Sequence, residues 1–203
     1  INVAEAVRLT GVKRLVQIST FGIYDRRKGE PNAIDEDFRR GPGEAYGNSK
    51  VAKELMVEAY QRLYGFELIV LRLANVYGVG HFAGGSGGGE MVQNMLQTGI
   101  KGGVVKIAQE VARDFEYVYY KDLGRALDKA ATTPLKEPVT LNIGTGVVIK
   151  FDTRRRCRKI VAAAPSRNHS GTKAALGETA DGYCESQAGA RLDPAEIARP
   201  GRR

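Results

Sequence analysis

The sequence predicts an α/β fold built on a parallel sheet. Three observations lead there. Short apolar runs alternate along the chain with amphipathic stretches of helical period, the order that places helices between parallel strands. The clearest runs, Leu15-Val16-Gln17-Ile18 and Phe66-Glu67-Leu68-Ile69-Val70-Leu71-Arg72-Leu73, are nearly continuous, as in strands covered on both faces. Glycines stand at the expected helix ends, Gly11 and Gly65. With 203 residues, 42% of them hydrophobic, the chain is long enough for one domain with a sizeable core.

Residues 1–10 read as a helix already under way, with Val3, Ala6, Val7 and Thr10 as its inner stripe. The chain lacks an initiator Met and begins inside an element, which suggests a fragment. Residues 12–20 form a strand ending in Ser19-Thr20. Residues 24–42 are charged and broken by Gly29, Pro31, Gly41 and Pro42, the signature of a surface loop. Residues 45–64 form a long helix whose apolar positions are Val51, Leu55, Val57, Ala59 and Leu63. A buried strand over 66–73 leads to an exit at 74–78. Residues 78–89 carry Gly84, Gly85, Gly87, Gly88 and Gly89 but lack the Lys-Ser/Thr ending of a P-loop, so they read as a flexible substrate-side loop. A helix continues over 91–96 with Gly99 as its stop. A strand over 103–108, a helix over 122–132 and a strand over 139–143 follow, the last running into Gly144-Thr145-Gly146.

Composition removes several function classes. No apolar run reaches the length of a membrane span, and no signal-peptide pattern is present, so no membrane partner is expected and the cytoplasm is the expected compartment. The two cysteines, Cys157 and Cys184, do not fall at metal-ligand spacing, and neither a metal site nor a disulfide framework is indicated. The net charge of +8 is uneven: residues 151–203 hold 11 Lys/Arg against 6 Asp/Glu, and the other 150 residues hold 20 against 17. The basic run Arg154-Arg155-Arg156 with Arg158 and Lys159 is short, and a solvated segment accounts for it better than a nucleic-acid partner. Residues 151–203 are rich in Ala, Arg, Gly and Ser with few large apolar residues, the composition of a disordered tail.

Tyr46 and Lys50 carry the chemistry. They lie four apart at the start of the 45–64 helix, one turn apart on one face. A free phenol, with a pKa of about 10, is a poor base at neutral pH, and a nearby ammonium favours the phenolate. Tyr46 is therefore the candidate to take a proton from a substrate hydroxyl or return one to a carbonyl, with Lys50 tuning it and holding the hydroxyls of a cofactor ribose. The spacing alone is weak, because Tyr117 and Lys121 repeat it and an ordinary helix-surface contact explains any one such pair. Ser19 and Thr20 place hydroxyls at the carboxyl end of a strand, where open α/β sheets bind ligands, although both residues are also common in strand-end turns.

The order of these parts resembles the extended short-chain dehydrogenase/reductase family, in its NAD-dependent epimerase/dehydratase branch. The pieces are Asn2-Val3-Ala4-Glu5-Ala6, Gly11-Val12-Lys13-Arg14-Leu15-Val16, Ile18-Ser19-Thr20 with Tyr24, Tyr46-x-x-x-Lys50, Leu71-Arg72-Leu73-Ala74-Asn75-Val76-Tyr77-Gly78, Glu116-Tyr117-Val118-Tyr119-Tyr120-Lys121-Asp122-Leu123 and Leu141-Asn142-Ile143-Gly144-Thr145-Gly146. The resemblance implies a partial Rossmann-like NAD(P)-binding domain over residues 1–150, a remnant of a small C-terminal substrate-binding region, and NAD or NADP as cofactor. It implies Thr20 as the catalytic Ser/Thr, Tyr46 as the acid/base, and Lys50 as the cation that activates it and holds the nicotinamide ribose. Ser19, Leu73, Ala74 and Val76 fall with Tyr46 and Lys50 on cofactor-binding positions, and Asn75 and Arg113 on substrate-binding ones. A small sugar-type substrate and a homodimer in the full-length family follow from the same resemblance.

Three departures narrow it. Family dehydratases carry an Asp-Glu pair directly after the catalytic Thr; Phe21 and Gly22 stand here, which argues against dehydration. The family motif Arg-Asp-Phe-x-Tyr-Val-x-Asp uses its Arg to grip a diphosphate. Arg113-Asp114-Phe115 looks like it, yet counting back from Asp122-Leu123 puts Phe115 on the Arg position and Glu116 on the Asp, and a ring does not replace a bidentate guanidinium, so either Arg113 reaches the phosphate from two residues away or the substrate carries no diphosphate. Finally, no Gly-x-x-Gly-x-x-Gly turn for the pyrophosphate occurs in the chain. The expected activity is NAD(P)-dependent epimerisation of a sugar, with a nucleotide-sugar as one form of substrate. The competing readings are a dehydrogenase of a non-nucleotide sugar or hydroxy acid, favoured by Phe115, and an inactive fragment.

Overall fold

A computed structural model describes residues 1–25, 34–80, 86–104 and 114–150. The chain divides into two units, Ile1–Ala163 and Ala164–Arg203, and the described residues all belong to the first. The expected tail over 151–203, Arg113 and most of the expected strand over 103–108 lie outside the described residues.

The elements run α1 (Asn2–Thr10), β1 (Arg14–Thr20), a single 3-10 turn (Phe21–Ile23), α2 (Ala45–Tyr64), β2 (Glu67–Leu73), β3 (Asn75–Tyr77), α3 (Gly87–Ile100), β4 (Phe115–Tyr119), α4 (Tyr120–Thr132), β5 (Val139–Ile143) and β6 (Val148–Ile149). One sheet has the order β1-β2-β5, all parallel, with Ser19 opposite Arg72 and Arg72 opposite Asn142. A second has the order β3-β4-β6, with β4 parallel to β3 and antiparallel to β6. The expected α/β architecture with a parallel sheet is what the chain forms.

Apolar side chains cover both faces of the first sheet. On one face Leu68 and Val70 of β2 pack with Ala4 and Val7 of α1, Val57 of α2 and Phe66. On the other, Ile69, Leu71 and Ile143 pack with Val118 of β4 and Ala126 and Ala130 of α4. Alternation along the strand is what sends successive β2 residues to opposite cores. Gly11 and Gly65 end α1 and α2 in the left-handed region, at φ 67° and 73°, as C-cap glycines do.

Several expectations need correction. The inner face of α1 is Ala4 and Val7; Val3, Ala6 and Thr10 face outward. In α2 the fully covered positions are Gly47, Glu54 and Val57, whereas Leu55, Ala59 and Leu63 are exposed. A charged residue is buried there because Arg72 waits beneath it, as described below. Gly87, Gly88 and Gly89 form the first turn of α3 rather than a loop, capped by Ser86, whose hydroxyl accepts from the Gly89 N–H at 3.1 Å. Gly99 does not stop α3, which continues to Ile100. β3, β4 and β6 are strands that the apolar periodicity did not reveal.

Candidate active site

The 3-10 turn and the first turn of α2 press together at the carboxyl end of β1. A Cβ on Gly47 would stand 2.2 Å from the Gly22 carbonyl oxygen, so only a glycine allows this approach. Thr20 and Tyr46 flank the same glycine: a Cβ built on Gly22 would lie 3.5 Å from Thr20 Oγ1 and 3.8 Å from Tyr46 Cδ1. Thr20 Oγ1 accepts a hydrogen bond from the Gly22 N–H at 3.2 Å, capping the turn. Lys50 Nζ stands 5.5 Å from the centroid of the Tyr46 ring. Tyr46 is 60% exposed, so its phenol is open to an incoming molecule.

The second Tyr-x-x-x-Lys pair is different in kind. Tyr117 is buried in β4 and Lys121 lies in α4, so the two do not share a helical turn.

The other expected site residues sit nearby with their own structural partners. Ser19 is buried and its Oγ has no hydrogen-bond partner among the described residues. It alternates with Thr20, so the two hydroxyls leave β1 on opposite faces. Leu73 and Val76 pack onto the α4-side core. Ala74 is buried, its N–H donating to the Ile143 carbonyl at 2.9 Å. The Asn75 amide donates to the Glu116 carbonyl at 3.1 Å, and its side chain lies so close to Gly88 that a Cβ there would come within 2.7 Å of it. Glu116 reaches the turn after β5 and accepts from the Gly146 N–H at 2.7 Å. Phe115 opens β4 with its ring in edge contact with Tyr117, at 6.2 Å between centroids.

A buried polar network behind this site went unread in the sequence. Arg72, only 3% exposed, donates Nε to Glu54 Oε1 at 3.3 Å and Nη2 to Glu54 Oε2 at 3.0 Å. Its Nη1 donates to the Tyr24 hydroxyl at 3.0 Å and to the Glu36 carbonyl at 2.7 Å. The Tyr24 hydroxyl donates in turn to Asn142 Oδ1 at 2.5 Å. Arg40 bridges Glu54 and Glu58 from above, at 3.2 and 2.7 Å. Burial pushes the Tyr24 phenol up from its ordinary range, partly offset by its hydrogen bonds with Arg72 and Asn142. Burial also opposes the Arg72 charge, but the bonds with Glu54 and Tyr24 outweigh it and hold the guanidinium above its usual range. The available signal was a lone Arg inside an apolar strand, which demands a buried partner.

The donor set suits a nicotinamide ribose. The Lys50 ammonium offers three donors and no acceptor, which matches sugar hydroxyl oxygens, and Tyr46 and Thr20 offer hydroxyls beside it. Among the described residues no cluster of His, Cys, Asp or Glu is arranged to hold a metal ion, and no helix is long and apolar enough to cross a membrane.

The family model described as "NAD dependent epimerase/dehydratase family" matches residues 1–144. The chain belongs to this family. The matched span takes in Thr20, Tyr46, Lys50, Leu73, Ala74, Asn75, Val76 and Arg113. Among curated relatives, a UDP-glucose 4-epimerase of Mycolicibacterium smegmatis is 30% identical over 148 residues, which is 72% of this chain and 46% of the relative. A putative UDP-glucose 4-epimerase of Methanocaldococcus jannaschii is 32% identical over 149 residues, again 72% of this chain and 46% of the relative. Among solved structures, the UDP-glucose 4-epimerase of Thermus thermophilus in complex with NAD is 29% identical, with a TM-score of 0.67 over 81% of this chain and 53% of that one. The chain thus spans about half the length of the epimerase-family relatives it matches.

Proposed function

We propose that this chain supplies the proton-transfer half of an NAD-dependent nucleotide-sugar 4-epimerase. The observation that carries the reading is the Tyr46–Lys50 pair in the first turns of α2, with Thr20 across Gly22 from the phenol. The relatives named above as UDP-glucose 4-epimerases support the substrate class, and the neighbour solved with NAD supports the cofactor. Phe21 and Gly22 stand where an elimination acid and base would be needed, which favours epimerisation over dehydration.

In this reading Thr20 donates a hydrogen bond to the reacting sugar oxygen and fixes it beside Tyr46. Tyr46 takes the hydroxyl proton as the carbon is oxidised and returns it as the carbon is reduced. Lys50 offsets the charge on the phenol oxygen and holds the nicotinamide ribose. Bound there, the dinucleotide supplies the hydride acceptor and donor. Asn75 and Ala74 shape the wall beside the ring.

The test is Tyr46→Phe in the full-length enzyme carrying this sequence, assayed for 4-epimerisation of UDP-glucose. General acid/base groups contribute about 100- to 10,000-fold, and a loss of that size is expected with the fold intact. Turnover within a few-fold of the parent, with Tyr117→Phe inactive, would show that the wrong tyrosine had been chosen. The same assay read at the nicotinamide absorbance separates the competing dehydrogenase: an epimerase accumulates no NADH at steady state.

A further inference from the structure

The two halves of the candidate site ride on different elements. Thr20 leads into the 3-10 turn, which Tyr24 follows, and Tyr46 and Lys50 ride on α2. Nothing in either element alone fixes the distance between them. Beneath both lies Arg72 of β2. Its fork holds Glu54, which follows Lys50 by one helical turn and Tyr46 by two. Its remaining nitrogen holds Tyr24, four residues after Thr20, and the Glu36 carbonyl. Asn142 of β5, the register partner of Arg72, accepts from the Tyr24 hydroxyl.

We propose that Arg72, acting through Glu54 and Tyr24, is the positioning residue that sets the Tyr46 phenol against Thr20. The inference rests on the function proposed above. Stability does not require such a pair: replacing a buried ion pair with apolar residues of similar volume is often neutral or stabilising, because two desolvated charges cost as much as they return. What the ions add is direction. From one planar group, two hydrogen bonds to Glu54 hold α2, one to Tyr24 holds the end of the 3-10 turn, and one to the Glu36 carbonyl holds the segment between them. The contact of Gly47 with the Gly22 carbonyl passes any shift of one element directly to the other.

The experiment uses the full-length enzyme carrying this sequence and three variants: Arg72→Lys, Tyr24→Phe and the apolar pair Arg72→Met with Glu54→Leu. Turnover and KM are measured for epimerisation, together with thermal midpoints and amide hydrogen exchange over residues 20–24 and 45–50. Misplacing a reacting group by about 1 Å costs about 100-fold, so Arg72→Lys and the apolar pair should lose about 10- to 100-fold in kcat with KM within about three-fold of the parent. The apolar pair should do so while keeping the parent's thermal midpoint within a few degrees, and exchange should rise in both segments together while α4 stays protected. Tyr24→Phe deletes one hydroxyl and should lower kcat by several-fold even if the apolar pair fails to fold. Parent-like kcat in Arg72→Lys and Tyr24→Phe, or a loss that merely follows the folded fraction, overturns the proposal. If Tyr46→Phe itself proves parent-like, the functional reading has failed, and the exchange pattern alone then decides whether Arg72 couples the two elements.

Discussion

Gly47 is the residue on which the join depends. A methyl group there would meet a backbone carbonyl, which unlike the tip of a side chain has no rotamer through which to escape. Gly47→Ala should therefore push α2 away from the 3-10 turn and destabilise the fold by about 1–3 kcal/mol, as overpacked sites do. A urea midpoint measured beside turnover checks this; an unchanged midpoint with full turnover would show that the join is loose. Glycine's role here was not legible in the sequence, where Gly47 is an x inside Tyr-x-x-x-Lys. The positions of Thr20, Tyr46 and Lys50 were legible because each stands at a defined place in an element: a strand end, a first turn, one turn later. Glu54 and Arg72 were not paired because 18 residues separate them and only the fold brings them together.

Elements were read more securely in extent than in facing. The bounds of α2 came out as Ala45–Tyr64, since Gly65 marks its end, but its covered face did not. Leu55 and Leu63 are exposed and Glu54 is covered, because a partner on β2 decides burial and apolar periodicity carries no trace of it. β4 hid for another reason: Phe115-Glu116-Tyr117-Val118-Tyr119 flows straight into α4 with no turn residue between them. Arg14 shows how one element finishes another. From β1 its Nη1 donates to the carbonyls of Ala130 and Ala131 at 2.8 and 2.9 Å, near the end of α4, while its Nε holds Glu67 at 2.6 Å. A cation at a helix C-terminus satisfies carbonyls that have no partner within the helix. Arg14→Ala should fray that last turn, raising amide exchange over residues 129–132 and lowering stability by about 1–3 kcal/mol. Unchanged exchange there would mean that water replaces the guanidinium without cost.

At the scale of the whole molecule, Thr20, Tyr46 and Lys50 gather at the carboxyl end of β1, and the sequence has no Gly-x-x-Gly-x-x-Gly pattern of the kind that holds a pyrophosphate. Isothermal titration of this 203-residue chain with NAD should accordingly show no micromolar binding; a micromolar constant would mean that Tyr46, Lys50 and their neighbours suffice. A parallel sheet such as β1-β2-β5 was expected from the alternation of elements, though not its strand order, and the second sheet was not expected, since β3 and β6 are only three and two residues long. The bond from Tyr24 to Asn142 spans 118 residues of chain. A ribosome releases the N-terminal elements first, so α1, β1 and α2 emerge while Asn142 is still unmade. Tyr46 and Thr20 therefore exist on the growing chain well before the last tie behind them does, and translation must pass β5 before the site acquires its final geometry.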